Sequence, residues 1–327
     1  MLKFAARRLL YMLILVCAVA VLGFVVIQLP PGDWLSTYIL QVELSGDRVD
    51  QEQIETLKRM YGLDRPMIAQ FLKWVWGMLR GNFGYSFFWN RPVADLVTER
   101  LGFTLLISGT TIVFSYVAAI AIGVYSATRQ YGIGDYLATV FGFLGLSTPP
   151  FLVALVLVYL FLVMFDVNVV GLFSPEYLKA DWSVARVIDM LKHLPVPVLV
   201  IGLGGIAGLQ RIMRATLLDE LRKQYVITAR AKGVVEHRLL FKYPVRVAIN
   251  PIVSTVAWVF PELVSGGAIV AVVLNLPTMG PLLLSSLRGQ DMFLAGAIMT
   301  LLSMLTVVGF FLSDLLLMLI DPRIRME

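Results

Sequence analysis

Apolar residues gather along this chain in six long runs, at about 9–28, 101–127, 136–163, 194–212, 252–274 and 293–320. Each approaches or exceeds the ~20 residues a helix needs to cross a bilayer. Backbone polar groups cannot stay unpaired in lipid, so spans of this length fold as helices. The pattern therefore predicts six transmembrane helices. The fourth run is the shortest and is rich in glycine. The first ends in "LPPGDW", where Pro30, Pro31 and Gly32 stop a helix. No small-residue cleavage site follows that long run, so it reads as a retained anchor.

The polar stretches are patterned too. Within 30–100, Ile54, Leu57 and Tyr61, then Ile68, Phe71, Leu72 and Val75, recur at helical spacing. Arg65-Pro66 divides them into two helices. The second carries Trp74 and Trp76 and is expected against the membrane interface or the outer ends of the bundle. Three parts follow: an N-terminal transmembrane helix (1–29), an extracytoplasmic helical segment (30–100), and a five-helix core (101–327) with a cytoplasmic loop at about 213–250.

Composition agrees. Of 327 residues, 58% are hydrophobic and 15% charged, with a mean hydropathy of +0.81. Such a chain is a polytopic, all-α membrane protein. Its net charge of +5 reads as topology rather than nucleic-acid binding. Lys3, Arg7, Arg8, Arg129, Arg323 and Arg325 fall on one side of a six-span arrangement. So does the segment 211–246, with nine Arg/Lys against three acids. That side is cytoplasmic by the positive-inside rule, and both termini lie on it.

The chemistry excluded is as informative. The single cysteine, Cys17, allows no disulfide framework or thiolate metal site. His193 and His237 are expected on opposite membrane faces, which argues against a metal site or a Ser-His-Asp triad. There is no GxxxxGK[ST], so any ATP that drives this protein binds on another chain. "GLGGIAG" mimics a dinucleotide fingerprint through Gly202, Gly204 and Ala207, but it lies in an apolar run with no preceding strand. Gly204 and Gly208 read instead as a small-residue face for helix packing.

Polar groups inside the spans mark candidates for function. Glu262 in "WVFPELVSGGAIV" is a carboxylate at membrane depth, and Pro261 beside it can free a carbonyl. Glu262, Trp258, Ser265 and Pro149 are the candidate lining of a translocation path, with a structural pair as the alternative for Glu262. Asp314 reads as a structural polar contact. Pro277, Gly280 and Pro281 predict a turn between spans, or a gate element. Trp34, Trp74, Trp76 and Trp89 fit interface anchoring or a platform for a partner.

The stretch 225–251, "YVITARAKGVVEHRLLFKYPVRVAINP", stands out on the cytoplasmic side. Val235, Leu239 and Tyr243 share one helical stripe, and Arg238, Lys242 and Arg246 another. Gly233 can adopt the left-handed conformation that reverses the chain between two short helices. Pro244 weakens the last turn of the second helix. Such a helix either lies on anionic lipid or seats in a groove of a cytoplasmic partner.

Here the sequence resembles the permease subunits of ATP-binding-cassette importers, specifically the first permease of the dipeptide/oligopeptide/nickel group. "FAARRLLYMLILVCAVAVLGFVVIQLPPGDW", "YGLDRPMIAQFLKWVWGMLRGNFGYSF", "RPVADLVTERLGFTLLIS", "GLSTPPF", "YVITARAKG" and "DPRIR" occur in that family's order and cover nearly the whole chain. The resemblance implies a type I importer permease fold in a bacterial inner membrane. It also implies a second homologous permease, two ATPase subunits carrying ATP and Mg, and an extracytoplasmic solute-binding protein. No cofactor, metal or covalent chemistry is expected of this chain itself, and no nucleic-acid partner. The loop would be the coupling helix, with Ala229, Arg230, Ala231, Lys232, Gly233, Glu236 and Arg238 as its ATPase-facing residues. Ile227 and Thr228 precede Ala229 where the general importer motif has a glutamate, as in the peptide-group variant. The implied cargo is di- or oligopeptide. "VVLNLPTMGPLLLSSLRGQDM" departs from the usual peptide-type Pro-Gly-Leu-Gly and keeps oligosaccharide, nickel or opine-like solutes as alternatives. An ion-coupled secondary transporter is the more distant one, and would show paired repeats or more intramembrane charge.

Overall fold

The computed structural model describes residues 2–28, 55, 66–86, 88–256 and 267–320, with backbone alone for 2–9, 26–28 and 312–320. The described residues are overwhelmingly helical. A single two-residue antiparallel hairpin, β1 (Tyr85–Ser86) with β2 (Arg91–Pro92), is the exception. The chain divides into two compact units, residues 1–103 with 278–307 and residues 104–277 with 308–327.

In the first unit, helix α1 (Leu2–Gln28) packs Ala20 and Phe24 against Trp74 of α2 (Met67–Leu79). Trp74 is buried, so this tryptophan is core, whereas Trp76 on the same helix is exposed. The second predicted span begins eight residues earlier than its apolar run, because α3 covers Val93–Thr128. Its first turns are apolar on one face. Val93, Leu96 and Val97 bury against α12 (Met279–Arg288) and α13 (Met292–Ile320). Asp291 knots this unit together. It is fully buried and accepts from the Ser86 hydroxyl (2.5 Å) and from the Leu294 amide (3.1 Å), so one carboxylate pins the hairpin and caps α13. The expected turn after the fifth span is thus a helix, α12, for ten residues. Its Met279 and Leu282 are buried, and core packing outweighs the local Gly280-Pro281 signal there.

The second unit is built on α7 (Pro195–Leu221), which continues α6 (Val184–His193) through the helical backbone of Leu194. The glycine-rich fourth run is therefore a long helix that extends beyond the predicted span at both ends. Glycine serves close approach here. A Cβ on Gly123 of α3 would sit 2.6 Å from Met213, and one on Gly202 would sit 2.7 Å from the Ser115 hydroxyl. Ala119, Val124, Met213, Leu217 and Ile252 form the core between them.

The third predicted span is two helices rather than one. α4 (Ile133–Ser147) and α5 (Pro150–Phe165) meet at 107° across Thr148-Pro149. Two consecutive prolines remove two amide donors and push the preceding residue out of the helical region; Thr148 has ψ 124°. Val93–Thr128, Val184–Leu221 and Met292–Phe311 are long and apolar enough to cross a membrane, and α4 with α5 would form a fourth span if taken together. The fifth predicted span is described only at its ends, by α11 (Asn250–Ser254) and a helical stretch over 267–273.

Candidate functional site, a basic helical turn at the end of α7

α7 ends at Leu221, and after a two-residue link the chain enters α8 (Gln224–Ala231). It then turns at Gly233, forms α9 (Glu236–Lys242), and continues into α10 (Pro244–Ala248). The Gly233 φ of +76° is the left-handed conformation that the sequence required. A Cβ there would meet nothing within 4 Å. The dihedral alone demands glycine. Around it the carbonyls at the end of α8 are satisfied in order. Lys232 N donates to Thr228 O at 3.1 Å, Gly233 N to Arg230 O at 3.0 Å and Val234 N to Ala229 O at 3.3 Å.

The turn has a small core of its own. Val226 and Ala229 on α8 bury against Leu239 on α9, with Val234 and Tyr243 packed on them. Ala229, expected on the partner-facing surface, is instead inside this core. An ion pair staples the outside. Arg230 places Nη2 at 2.6 Å and Nε at 3.1 Å from the two carboxylate oxygens of Glu236. That hydrogen bond holds the Glu236 carboxyl below the usual carboxylate range and raises the guanidinium. At the root of α8, Tyr225 donates to Glu220 at 2.5 Å. Burial, then the neighbouring carboxylate, pushes that phenol up.

Ala231, Lys232 and Arg238 are exposed, and Lys232 and Arg238 make no ion pair among the described residues. Exposed Ile227, Val235 and Phe241 accompany them. Two expectations change. Val235 is not on the buried stripe. It precedes α9 with extended backbone (ψ 135°), and its side chain is 72% exposed. Arg246 does not continue the helix that carries Arg238 and Lys242, because Tyr243 breaks that helix and Pro244 starts α10 as its first residue. Proline begins a helix here rather than fraying one. The resulting surface is basic with apolar knobs, rigid behind, and suited to a partner cleft.

α10 ties this turn back to α7. The Thr216 hydroxyl donates to Ala248 O at 3.2 Å, and Val245, Ala248 and Ile252 join the core with Leu217. On another side of α7, Arg214 grips both oxygens of buried Asp135 on α4 at 2.8 Å each, and Gln210 donates to Ala138 O at 2.6 Å. Sequence reasoning missed this clamp. Asp135 and Arg214 are 79 residues apart, and the α4–α7 packing that unites them has no local sequence signature.

The other predicted residues separate. Pro149 stands exposed at the α4–α5 bend. Glu262, Trp258 and Ser265 lie outside the described residues, as do Trp34, Arg323 and Arg325. A Cβ on Gly204 would sit at an ordinary 3.8 Å from the Gly145 carbonyl, and one on Gly208 would meet nothing within 4 Å. The tight contacts expected of that pair belong instead to Gly123, Gly142, Gly145 and Gly202, which face bulkier side chains of the packed neighbours. Among the described residues, no group of His, Cys, Asp and Glu could hold a metal ion.

Comparison with known proteins covers the whole architecture. Residues 119–326 match the family described as binding-protein-dependent transport system inner membrane component, and residues 1–108 match its N-terminal companion. A Brucella ovis protein provisionally named as a peptide permease is 34% identical over 328 residues, covering 99% of each chain. The oligopeptide transport system permease protein AppB of Bacillus subtilis is 31% identical, covering 99% of this chain and 100% of its own. The oligopeptide transport system permease protein OppB of Mycobacterium bovis is 31% identical over the full length of both. With two-part coverage of this extent and the helical, membrane-length architecture behind it, the chain belongs to the family of inner-membrane permease components of binding-protein-dependent transport systems.

Proposed function

We propose that this chain is one of two permease subunits of an ATP-driven importer of di- or oligopeptides, and that its basic turn docks an ATPase subunit. The single observation that carries the docking role is the turn between α8 and α9. It has its own core, is stapled by Arg230 and Glu236, and presents Lys232, Arg238 and three exposed apolar side chains outward. A lipid-surface helix needs no such internal fastening. The relatives named for peptide and oligopeptide permeases support the cargo.

In this reading the turn and both termini are cytoplasmic, consistent with the concentration of Lys/Arg at 211–246. ATP and Mg bind on two separate ATPase chains. Their closure moves the docked turn, and the motion passes through α7 and α10 into the spans. A second, homologous permease completes the path. An extracytoplasmic binding protein delivers the peptide, and Glu262, Trp258, Ser265 and Pro149 are the candidates for lining its way.

The test is a mild-detergent pull-down of the tagged chain from its native membrane, with mass spectrometry of what accompanies it. Recovery of a second permease and P-loop ATPases supports the importer. The co-encoded binding protein can then be screened against peptides and oligosaccharides. A chain recovered alone sinks the reading.

A further inference from the structure

Between α4 and α7, near the Asp135–Arg214 clamp, lies an open cavity of about 450 Å³ lined by Thr139, Phe143, Gly208, Arg211 and Arg214 among others. Its two cations are not equivalent. Arg214 is spent on Asp135 through two hydrogen bonds. Arg211 is exposed, forms no ion pair among the described residues, and lies 5.3 Å over the Phe143 ring. The floor is kept low by Gly208, above which a side chain would meet nothing within 4 Å. The flank of α4 beside it is aromatic and apolar, exposed through Tyr136, Val140 and Phe143.

We propose that this cavity is a binding site for an anionic phospholipid, with the headgroup phosphate on Arg211 and an acyl chain along the exposed flank of α4. Three features select this ligand. An uncompensated guanidinium asks for an anion and can hold a phosphate through two parallel hydrogen bonds. The apolar flank asks for hydrocarbon, which a free phosphate does not bring. The location is also right. Arg211 stands where the apolar run 194–212 closes, toward the end of α7 from which the basic turn emerges. On the reading above that end is cytoplasmic, where anionic lipids concentrate and basic pockets between helices take their headgroups. Thr139, beside the opening, bonds its own helix through the Asp135 carbonyl and keeps hydroxyl lone pairs for water around a headgroup.

The experiment is native mass spectrometry of the full transporter complex purified in mild detergent, titrated with phosphatidylglycerol or with phosphatidylcholine. Tight binding of phosphatidylglycerol over phosphatidylcholine is expected. Arg211→Gln should weaken phosphatidylglycerol by about fivefold, the worth of one cation at a membrane surface. Gly208→Leu starts from a position where a Cβ meets nothing within 4 Å, and its side chain should expel the lipid with the charge intact. Arg129→Gln, a basic residue outside the cavity, controls for non-specific charge and should leave occupancy unchanged. Equal binding of the two lipids, or unchanged occupancy in both cavity variants, overturns the proposal. Displacement of phosphatidylglycerol by inorganic phosphate alone would reassign the site to a free anion. Loss of the second permease from Arg211→Gln would reassign the groove to a protein interface. Failure to recover any complex from the wild type bears on the importer reading and not on this site, because the titration can then be run on the full chain by itself.

Discussion

Arg214 on α7 holds both carboxylate oxygens of Asp135 on α4 at 2.8 Å, while the Tyr131 amide donates to the same carboxylate at 3.0 Å. Asp135 is 3% exposed. Its charge is therefore tolerated only because its partner is in place, and the pair fixes how α4 crosses α7. Arg214→Ala should destabilise the folded chain by about 3 kcal/mol, since it strands a buried carboxylate. Asp135→Asn with Arg214→Gln, which removes both charges, should recover much of the loss. Thermal unfolding in detergent of the two variants and the wild type measures it, and equal stability of Arg214→Ala and wild type would show the clamp to be idle.

Gly233 supplies a dihedral rather than space. Gly233→Ala should cost about 1 kcal/mol in the turn and leave uptake largely intact. Gly233→Pro cannot reach φ +76° at all. ATP hydrolysis should then run without ATP-dependent uptake in reconstituted vesicles loaded with ATP, with the protein still inserted. Normal uptake by the proline variant would remove the docking role from the turn.

The staple between Arg230 and Glu236 makes a pH prediction with a definite sign. The folded carboxyl is held below its ordinary range, which is near pH 4.3 in unstructured peptides. Its contribution is complete above that value and fades as pH falls through the lowered folded value. Both side chains are largely exposed, so the effect is small. Amide exchange of residues 230–236, corrected for its intrinsic pH dependence, should show constant protection from about pH 8 to 6 and loosening only on strong acidification. Arg230→Gln should remove that acid dependence.

In the other unit, Asp291 joins the hairpin to α13. Asp291→Ala would leave the buried Ser86 hydroxyl and the Leu294 amide without their acceptor, at about 1–3 kcal/mol for each buried group. The hairpin should become a site of limited proteolysis. Asp291→Asn, which keeps an acceptor, should be cut more slowly.

Close packing gives the last prediction. A methyl on Gly123 would lie 2.6 Å from the Met213 Cβ and 3.0 Å from the Gln210 carbonyl. Gly123→Ala should therefore cost about 1–3 kcal/mol by prying α3 from α7. Gly208→Ala, over open space, should be neutral or slightly stabilising. Thermal unfolding separates them, and equal effects would refute the packing assignment.

Periodicity carried far in this chain. The runs that predicted spans two, four and six are continuous helices, and the left-handed turn at Gly233 could be read from local backbone chemistry, while the helix expected before Arg65-Pro66 lies outside the described residues. The failures share a cause. The bend at Thr148-Pro149 was written in two prolines, but the apolar run continued past them and outweighed them. Val235 matched a helical stripe by spacing, yet it sits one residue before α9 begins, and spacing does not locate a helix start. Gly204 and Gly208 fitted a packing motif, but which glycines meet a neighbour depends on how the helices cross. The Asp135–Arg214 clamp and the Ser86–Asp291 bond join residues 79 and 205 positions apart. Only the folded arrangement brings them together.

The private core of the α8–α9 turn has a mechanical consequence. A docking element that flexes would absorb the displacement it receives, like a soft bushing between shaft and load. Val226, Ala229 and Leu239 give the α8–α9 turn a packed core, and only two residues separate it from a helix of 27 residues, about 40 Å long. In the docking role proposed above, a push on the turn would travel along α7 with little slack, and the stroke at the far end would be set by how α7 pivots in its packing rather than by compliance in the joint.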